Sequence, residues 1–121
     1  MTRGGATLVV AVAALASWSC FSDRSDLAAP GACDDPQQQV TVTIRDFRFD
    51  PAEVCVAAGG TVRWVNEGNE IHTSNNAGPS PEWASGFLAP GQQYTAAFPE
   101  AGTFDYLCLP HPFMTGVVVV K

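Results

Sequence analysis

From Val40 onward the chain alternates apolar and polar residues with a period of two, and no other feature restricts its fold as tightly. Val40, Val42 and Ile44 oppose Thr41, Thr43 and Arg45, and Phe47 and Phe49 extend the series to Asp50-Pro51. Val54 and Val56 flank Cys55, and Ala57-Ala58-Gly59-Gly60 reads as a turn into Thr61–Asn66, where Val62 and Trp64 share a face. Further runs at Tyr94–Phe98, Thr103–Cys108 and Gly116–Val120 are set off by Gly68-Asn69, Gly78-Pro79, Pro90-Gly91 and Gly102. Successive side chains of a strand point to opposite faces, so the pattern predicts many short strands joined by tight turns, an all-β sandwich or barrel. Beyond residue 16 there is neither sustained helical periodicity nor an internal repeat.

The residues before Val40 follow different rules. A basic start at Arg3 is followed by an apolar run from Ala6 to Ala16. A membrane-spanning helix needs about 20 such residues, so residues 1–19 read as an export signal; a buried helix is the competing reading. Two cleavage sites compete. Ala14-Leu15-Ala16 suits ordinary signal peptidase, whereas Ser17-Trp18-Ser19-Cys20 resembles a bacterial lipoprotein box that would leave Cys20 as a lipidated N-terminus. Ser17 stands where Leu or Val is usual, and Trp18 is bulky for that box. Residues 20–39, polar and Pro/Gly-containing, read as a flexible tether, and residues 40–121 as the globular domain. From Val40 there are 8 acidic and 4 basic residues, a balance of −4. An acidic domain without a basic patch argues against nucleic-acid binding.

Cys20, Cys33, Cys55 and Cys108 remain after export, and an oxidising compartment favours disulfides. The pairing with fewest loose ends joins Cys33 to Cys55, lipidates Cys20 and keeps Cys108 as a thiolate; the alternative is a free Cys33 and a Cys55 that merely packs. The chain has two histidines, His72 and His111. In Cys108-Leu109-Pro110-His111-Pro112-Phe113-Met114 a cysteine, a histidine and a methionine stand three residues apart, with two prolines fixing φ between them.

Three chemistries compete for Cys108. A nucleophile needs a separately oriented base and a lowered thiol pKa, yet His111 lies in the same tight turn and no helix N-terminus adjoins it. Zinc wants a fourth borderline ligand, and Met is a poor one. Copper uses every residue: soft thiolate and thioether, imidazole suited to both oxidation states, two His and one Cys in a trigonal plane, and a long axial Met contact.

On these residues the segment from Val40 to Lys121 resembles the cupredoxins, the small blue-copper proteins of the plastocyanin and amicyanin type. The resemblance runs through "FRFDPAEVCVAAGGTVRWVNEG", "IHT" and "SGFLAPGQQYTAAFPEAGTFDYLCLPHPFMTGVVVV". Its most specific piece is "CLPHPFM", with the short amicyanin-type spacing between His and Met. The resemblance implies an eight-stranded Greek-key β-sandwich with one copper ion at one end, held by His72, Cys108, His111 and Met114. One departure stands out: many relatives carry Asn after the first ligand His, and this chain has Thr73. Trp83 lies in a locally individual segment and reads as a loop cover or a partner contact.

The resemblance further implies one-electron transfer through the His111 edge to a redox protein partner, a cytochrome or dehydrogenase-like donor or acceptor. That partner would dock on an apolar surface of Leu109, Pro110, Pro112 and Phe113, with Leu88, Ala89 and Pro90 beside it. The protein is expected to be a monomer in the periplasm or on the outer face of the cell membrane, touching the membrane only through a lipid on Cys20. A single-site copper delivery protein is the alternative. An enzyme is not expected, because copper oxidases and nitrite reductases of this fold need further histidines, and none remain once His72 and His111 are used.

Overall fold

The computed structural model describes residues 33–121 and is all-β. The expected export signal at 1–19, the candidate lipidation site at Cys20 and most of the expected tether lie outside the described residues. Seven strands are present among the described residues, one fewer than the resemblance implies: β1 (Gln37–Arg45), β2 (Arg48–Asp50), β3 (Glu53–Asn66), β4 (Asn75–Asn76), β5 (Gln93–Phe98), β6 (Gly102–Leu107) and β7 (Thr115–Val120). β1 begins three residues before Val40 because Gln37 pairs with Val56, and just upstream Cys33 is bridged to Cys55.

Strand β3 organises the molecule. The sequence suggests two strands separated by a turn at Ala57–Gly60; instead one strand runs through, and its partners change there. Residues 53–56 pair in parallel with β7, whereas residues 60–65 pair antiparallel with β5 and residues 61–66 in parallel with β1. The register against β1 slips between Gln37 and Gln39, which face Val56 and Thr61. Gly59 supplies the left-handed φ of 87° at this bend, and a Cβ on Gly60 would lie 2.6 Å from the Gln38 carbonyl oxygen. Bends of this kind let one strand serve both layers of a sandwich. The path β2-β1-β3-β7-β6-β4, with β5 on the other edge of the β3 C-terminal half, is hydrogen-bonded throughout.

Alternation fills the single core as expected: Val42 and Ile44 from β1, Val54, Val56, Val62 and Trp64 from β3, Ala96 and Phe98 from β5, and Val118 and Val120 from β7. Fully burying an aliphatic side chain stabilises by about 1.5–3 kcal/mol, so this face of each strand fixes its register. Trp83 packs from its loop onto the core, so it is not an open partner contact. It is buried, stacks on Trp64 with ring centroids 5.6 Å apart, and donates its indole N–H to Ser74 Oγ at 2.9 Å. Tyr106 lies opposite Gly116 in the β6–β7 pair, where a Cβ would collide with its ring. Burial pushes the Tyr106 phenol well above its ordinary pKa.

Phe47 breaks the alternation. It is exposed while Phe49 is buried, because Asp46-Phe47 forms the connection between β1 and β2. Its φ is 72°, a left-handed conformation that a bulky residue rarely adopts. That conformation carries the ring toward the end of the sandwich where the ligand loops meet.

Candidate metal centre

Two loops build the site. The first leaves β3 at buried Asn66, whose Nδ2 donates to the carbonyls of Glu70 and Leu88, both at 2.8 Å, and whose Oδ1 accepts from Gly68 N at 2.9 Å. One side chain thereby shapes residues 66–70 and ties them to the 88 region. His72 follows, held by paired backbone bonds with Leu88 of 3.1 and 2.8 Å. Asn66 was not singled out in the sequence; an Asn closing a strand two residues before a Gly is the available signal.

The second loop joins β6 to β7. Cys108 N donates to Met114 O at 3.1 Å, His111 N to Cys108 O at 3.2 Å, and Met114 N to His111 O at 2.8 Å. These bonds close the seven-residue loop on itself, and Pro110 and Pro112 bring no N–H that needs a partner. Leu109 N reaches across to Thr73 Oγ1 at 2.8 Å, so Thr73 joins the two loops.

The donors converge. Cys108 Sγ lies 3.7 Å from His72 Nδ1 and 3.6 Å from His111 Nδ1, and all three atoms fall within 4.8 Å of one another. A metal about 2.0–2.1 Å from nitrogen and about 2.3 Å from sulfur separates such donors by roughly 3.8 Å at a trigonal angle, so both sulfur–nitrogen spacings fit one ion. Thr73 N points at the sulfur from 3.4 Å, a second contact between the two loops. His72 and Cys108 are 0 % exposed and Met114 is buried with them, while His111 alone of the four is partly open to solvent.

The far side of His72 is also occupied. Its Nε2 lies 3.0 Å from Asp46 Oδ1, which fixes the proton on Nε2 and leaves Nδ1 free toward the sulfur. Asp46 further accepts from Asn69 N and Glu70 N. The His72 hydrogen bond, followed by the amide of Asn69, lowers the Asp46 carboxyl to about 2.

A family of "copper binding proteins, plastocyanin/azurin family" matches residues 36–121. The chain belongs to the plastocyanin/azurin family. Amicyanin-alpha of Methylorubrum extorquens is 35% identical over 112 residues, covering 90% of this chain and 94% of that protein. Amicyanin of Paracoccus denitrificans is 36% identical over 114 residues, covering 92% and 85%. The crystal structure of amicyanin from Paracoccus versutus superposes with a TM-score of 0.64 at 35% identity, covering 73% of this chain and 86% of that one. With a cupredoxin fold, a copper-binding family and one donor cluster among the described residues, the cofactor is a single copper ion.

Around this cupredoxin centre the residues expected on the docking surface divide. Leu109, Pro110, Pro112, Phe113 and Pro90 are exposed, Phe113 to 68%. Leu88 is not: its backbone pairing with His72 turns the side chain into the core, and its neighbour Phe87 takes the surface at 74% exposure. Phe47, absent from the expected surface, stands edge-on to His111 at 5.1 Å and 6.1 Å from Phe113. The bond between Cys33 and Cys55 is present as expected, with Cα atoms 5.4 Å apart.

Proposed function

We propose that this cupredoxin is a one-electron carrier whose type 1 copper is held by His72, Cys108, His111 and Met114, and that electrons enter and leave through the His111 edge. The observation that carries this reading is the asymmetry of the donor set. Three of the four residues are buried, and the fourth reaches solvent through an apolar surround of Leu109, Pro110, Pro112 and Phe113. Copper supplies a Cu(I)/Cu(II) couple at this position. The chain's part is to keep the donors in one arrangement in both states: the loop's internal backbone bonds, the Thr73–Leu109 tie and the Asp46–His72 contact all restrain them.

All five exposed large hydrophobic residues of the described chain (Phe47, Ile71, Phe87, Leu109 and Phe113) belong to the loops that bring in the ligands or flank them in sequence or space. An apolar face of this kind suits a redox protein that docks briefly and leaves. Burial of His72, Cys108 and Met114 speaks against the delivery reading, since a metal to be handed on needs open donors. The absence of further histidines speaks against an enzyme. The disulfide supports export to the cell envelope, because such bonds persist in oxidising compartments; a monomer there, with a lipid on Cys20 as the only membrane contact, completes the proposal.

Adding Cu(II) to the folded protein tests it. Intense blue thiolate-to-copper absorption is expected, together with rapid electron self-exchange and retained metal. Cys108→Ser should abolish the colour, and a colourless wild type or an unchanged mutant sinks the reading.

A further inference from the structure

Asp46 stands 26 residues before His72 in the chain, yet its carboxylate is the partner of that ring's outer nitrogen. The contact is held from several sides. Oδ1 accepts from His72 Nε2 at 3.0 Å, and the amides of Asn69 and Glu70 donate to the same carboxylate at 2.9–3.1 Å. Gly68 packs so closely on it that a Cβ there would collide with the Asp46 side chain. The His72 ring is wholly buried, so its orientation is set by these neighbours rather than by water.

The charge of Asp46 is not cancelled locally. Among the described residues the nearby Arg45 is engaged with Asp50, and no Lys or Arg pairs with Asp46. Of the groups that donate to it, the amides of Asn69 and Glu70 lead away from the donor cluster, and the Nε2–H bond leads into the imidazole. A carboxylate behind a ligating histidine fixes its tautomer and raises the basicity of the opposite nitrogen. The more highly charged metal ion gains more from both the stronger donor and the added negative charge.

We propose that Asp46 is a positioning residue of the copper centre: it holds His72 Nδ1 toward Cys108 Sγ and lowers the reduction potential by favouring Cu(II) over Cu(I). The inference rests on the copper reading given above. It assigns Asp46 two effects, one on ring geometry that exists without metal and one on the metal's oxidation state.

Asp46→Asn and Asp46→Ala separate these effects from simple support of the 66–72 loop. Loss of a partner behind a ligating histidine typically costs about 10–100-fold in metal affinity. If Cu(II) affinity falls about tenfold more than Cu(I) affinity, the midpoint potential of Asp46→Asn rises by about 59 mV. Asp46→Asn retains one acceptor oxygen and so guards against failure of the alanine variant to fold. In the metal-free wild type, nitrogen NMR of His72 should show the proton on Nε2 in slow exchange with water, and Asp46→Ala should lose that protection. A purely supporting Asp46 would lower stability to urea and leave the potential of the blue Asp46→Asn protein where it was; that result overturns the proposal, as does a proton on Nδ1 in the metal-free wild type. A wild type that never turns blue would instead refute the copper reading, with the metal-free NMR still testing the Asp46–His72 contact.

Discussion

Leu109 N donates to Thr73 Oγ1 across 2.8 Å, and this bond joins the residue after His72 to the residue after Cys108. The Thr73 amide also points at Cys108 Sγ from 3.4 Å, so one residue contacts the second loop twice. Thr73→Val keeps the shape of the side chain and the amide contact but leaves the Leu109 N–H without its partner. An unsatisfied donor in a partly buried place costs about 1–3 kcal/mol. Urea unfolding of the metal-free protein should show that loss for Thr73→Val and less than about 1 kcal/mol for Thr73→Ser, which keeps the hydroxyl. Equal stability of the valine variant and the wild type would show that the tie contributes nothing.

Phe47 holds a left-handed φ of 72° while its ring packs edge-on to His111. That backbone conformation costs a residue with a Cβ about 1–2 kcal/mol, and aromatic contacts return about 0.5–1.5 kcal/mol each. Strain retained beside a functional group suggests that the ring matters more for function than for folding. Phe47→Gly relieves the backbone and removes the ring together, so its stability should stay within about 1 kcal/mol of wild type. The self-exchange rate should nevertheless fall by about two- to tenfold, the equivalent of one lost aromatic contact at the docking face. Stopped-flow or NMR line broadening reads the rate; an unchanged rate would remove Phe47 from the electron-transfer surface.

Trp83 makes a different case, since its whole contribution is to the core. It stacks on Trp64, meets Phe98 edge-on at 5.1 Å and donates to Ser74 Oγ. Trp83→Ala should cost about 3–5 kcal/mol, the range for truncating a buried aromatic residue. Trp83→Phe should cost less, keeping ring packing while stranding the Ser74 hydroxyl. Both should give blue copper protein wherever they remain folded, and thermal unfolding followed by tryptophan fluorescence and by the blue band measures each.

These residues also mark where the sequence was legible. The convergence of His72, Cys108 and His111 could be read because such donors are scarce: with two histidines and a cysteine–histidine–methionine loop, few assignments compete. The core could be read because period-two alternation directly encodes which face is buried. Phe47 could not be read, since continuing the alternation through Asp46 places it on the Phe49 face, and only the β1–β2 connection turns it outward. Ala57–Gly60 misled for a related reason: glycines allow a turn, but they equally allow one strand to bend between two sets of partners. Trp83 and Leu88 lie in segments without periodicity, where pairing across the chain with the His72 region decides burial. Asp46 gave no signal at all, because a carboxylate acquires its role behind His72 only once β1 and the 66–72 loop are adjacent.

The Cys33–Cys55 bond can be tested independently of copper. It closes a separation of 22 residues and fastens the chain entering β1 to the N-terminal half of β3. Closing a loop of that size stabilises by about 3 kcal/mol through restriction of the unfolded chain. The His72 loop leaves β3 from its other end, at Asn66, so the bond and the donor cluster are mechanically separate. The double variant Cys33→Ser, Cys55→Ser should therefore unfold in less urea by about 3 kcal/mol while its folded form binds Cu(II) with an unchanged blue spectrum. Dithiothreitol should reproduce the loss in the metal-free wild type and leave the double variant unaffected. A loss below about 1 kcal/mol would mean that residual contact between the β1 and β3 segments already confines the unfolded chain, so that the bond removes little further freedom from it.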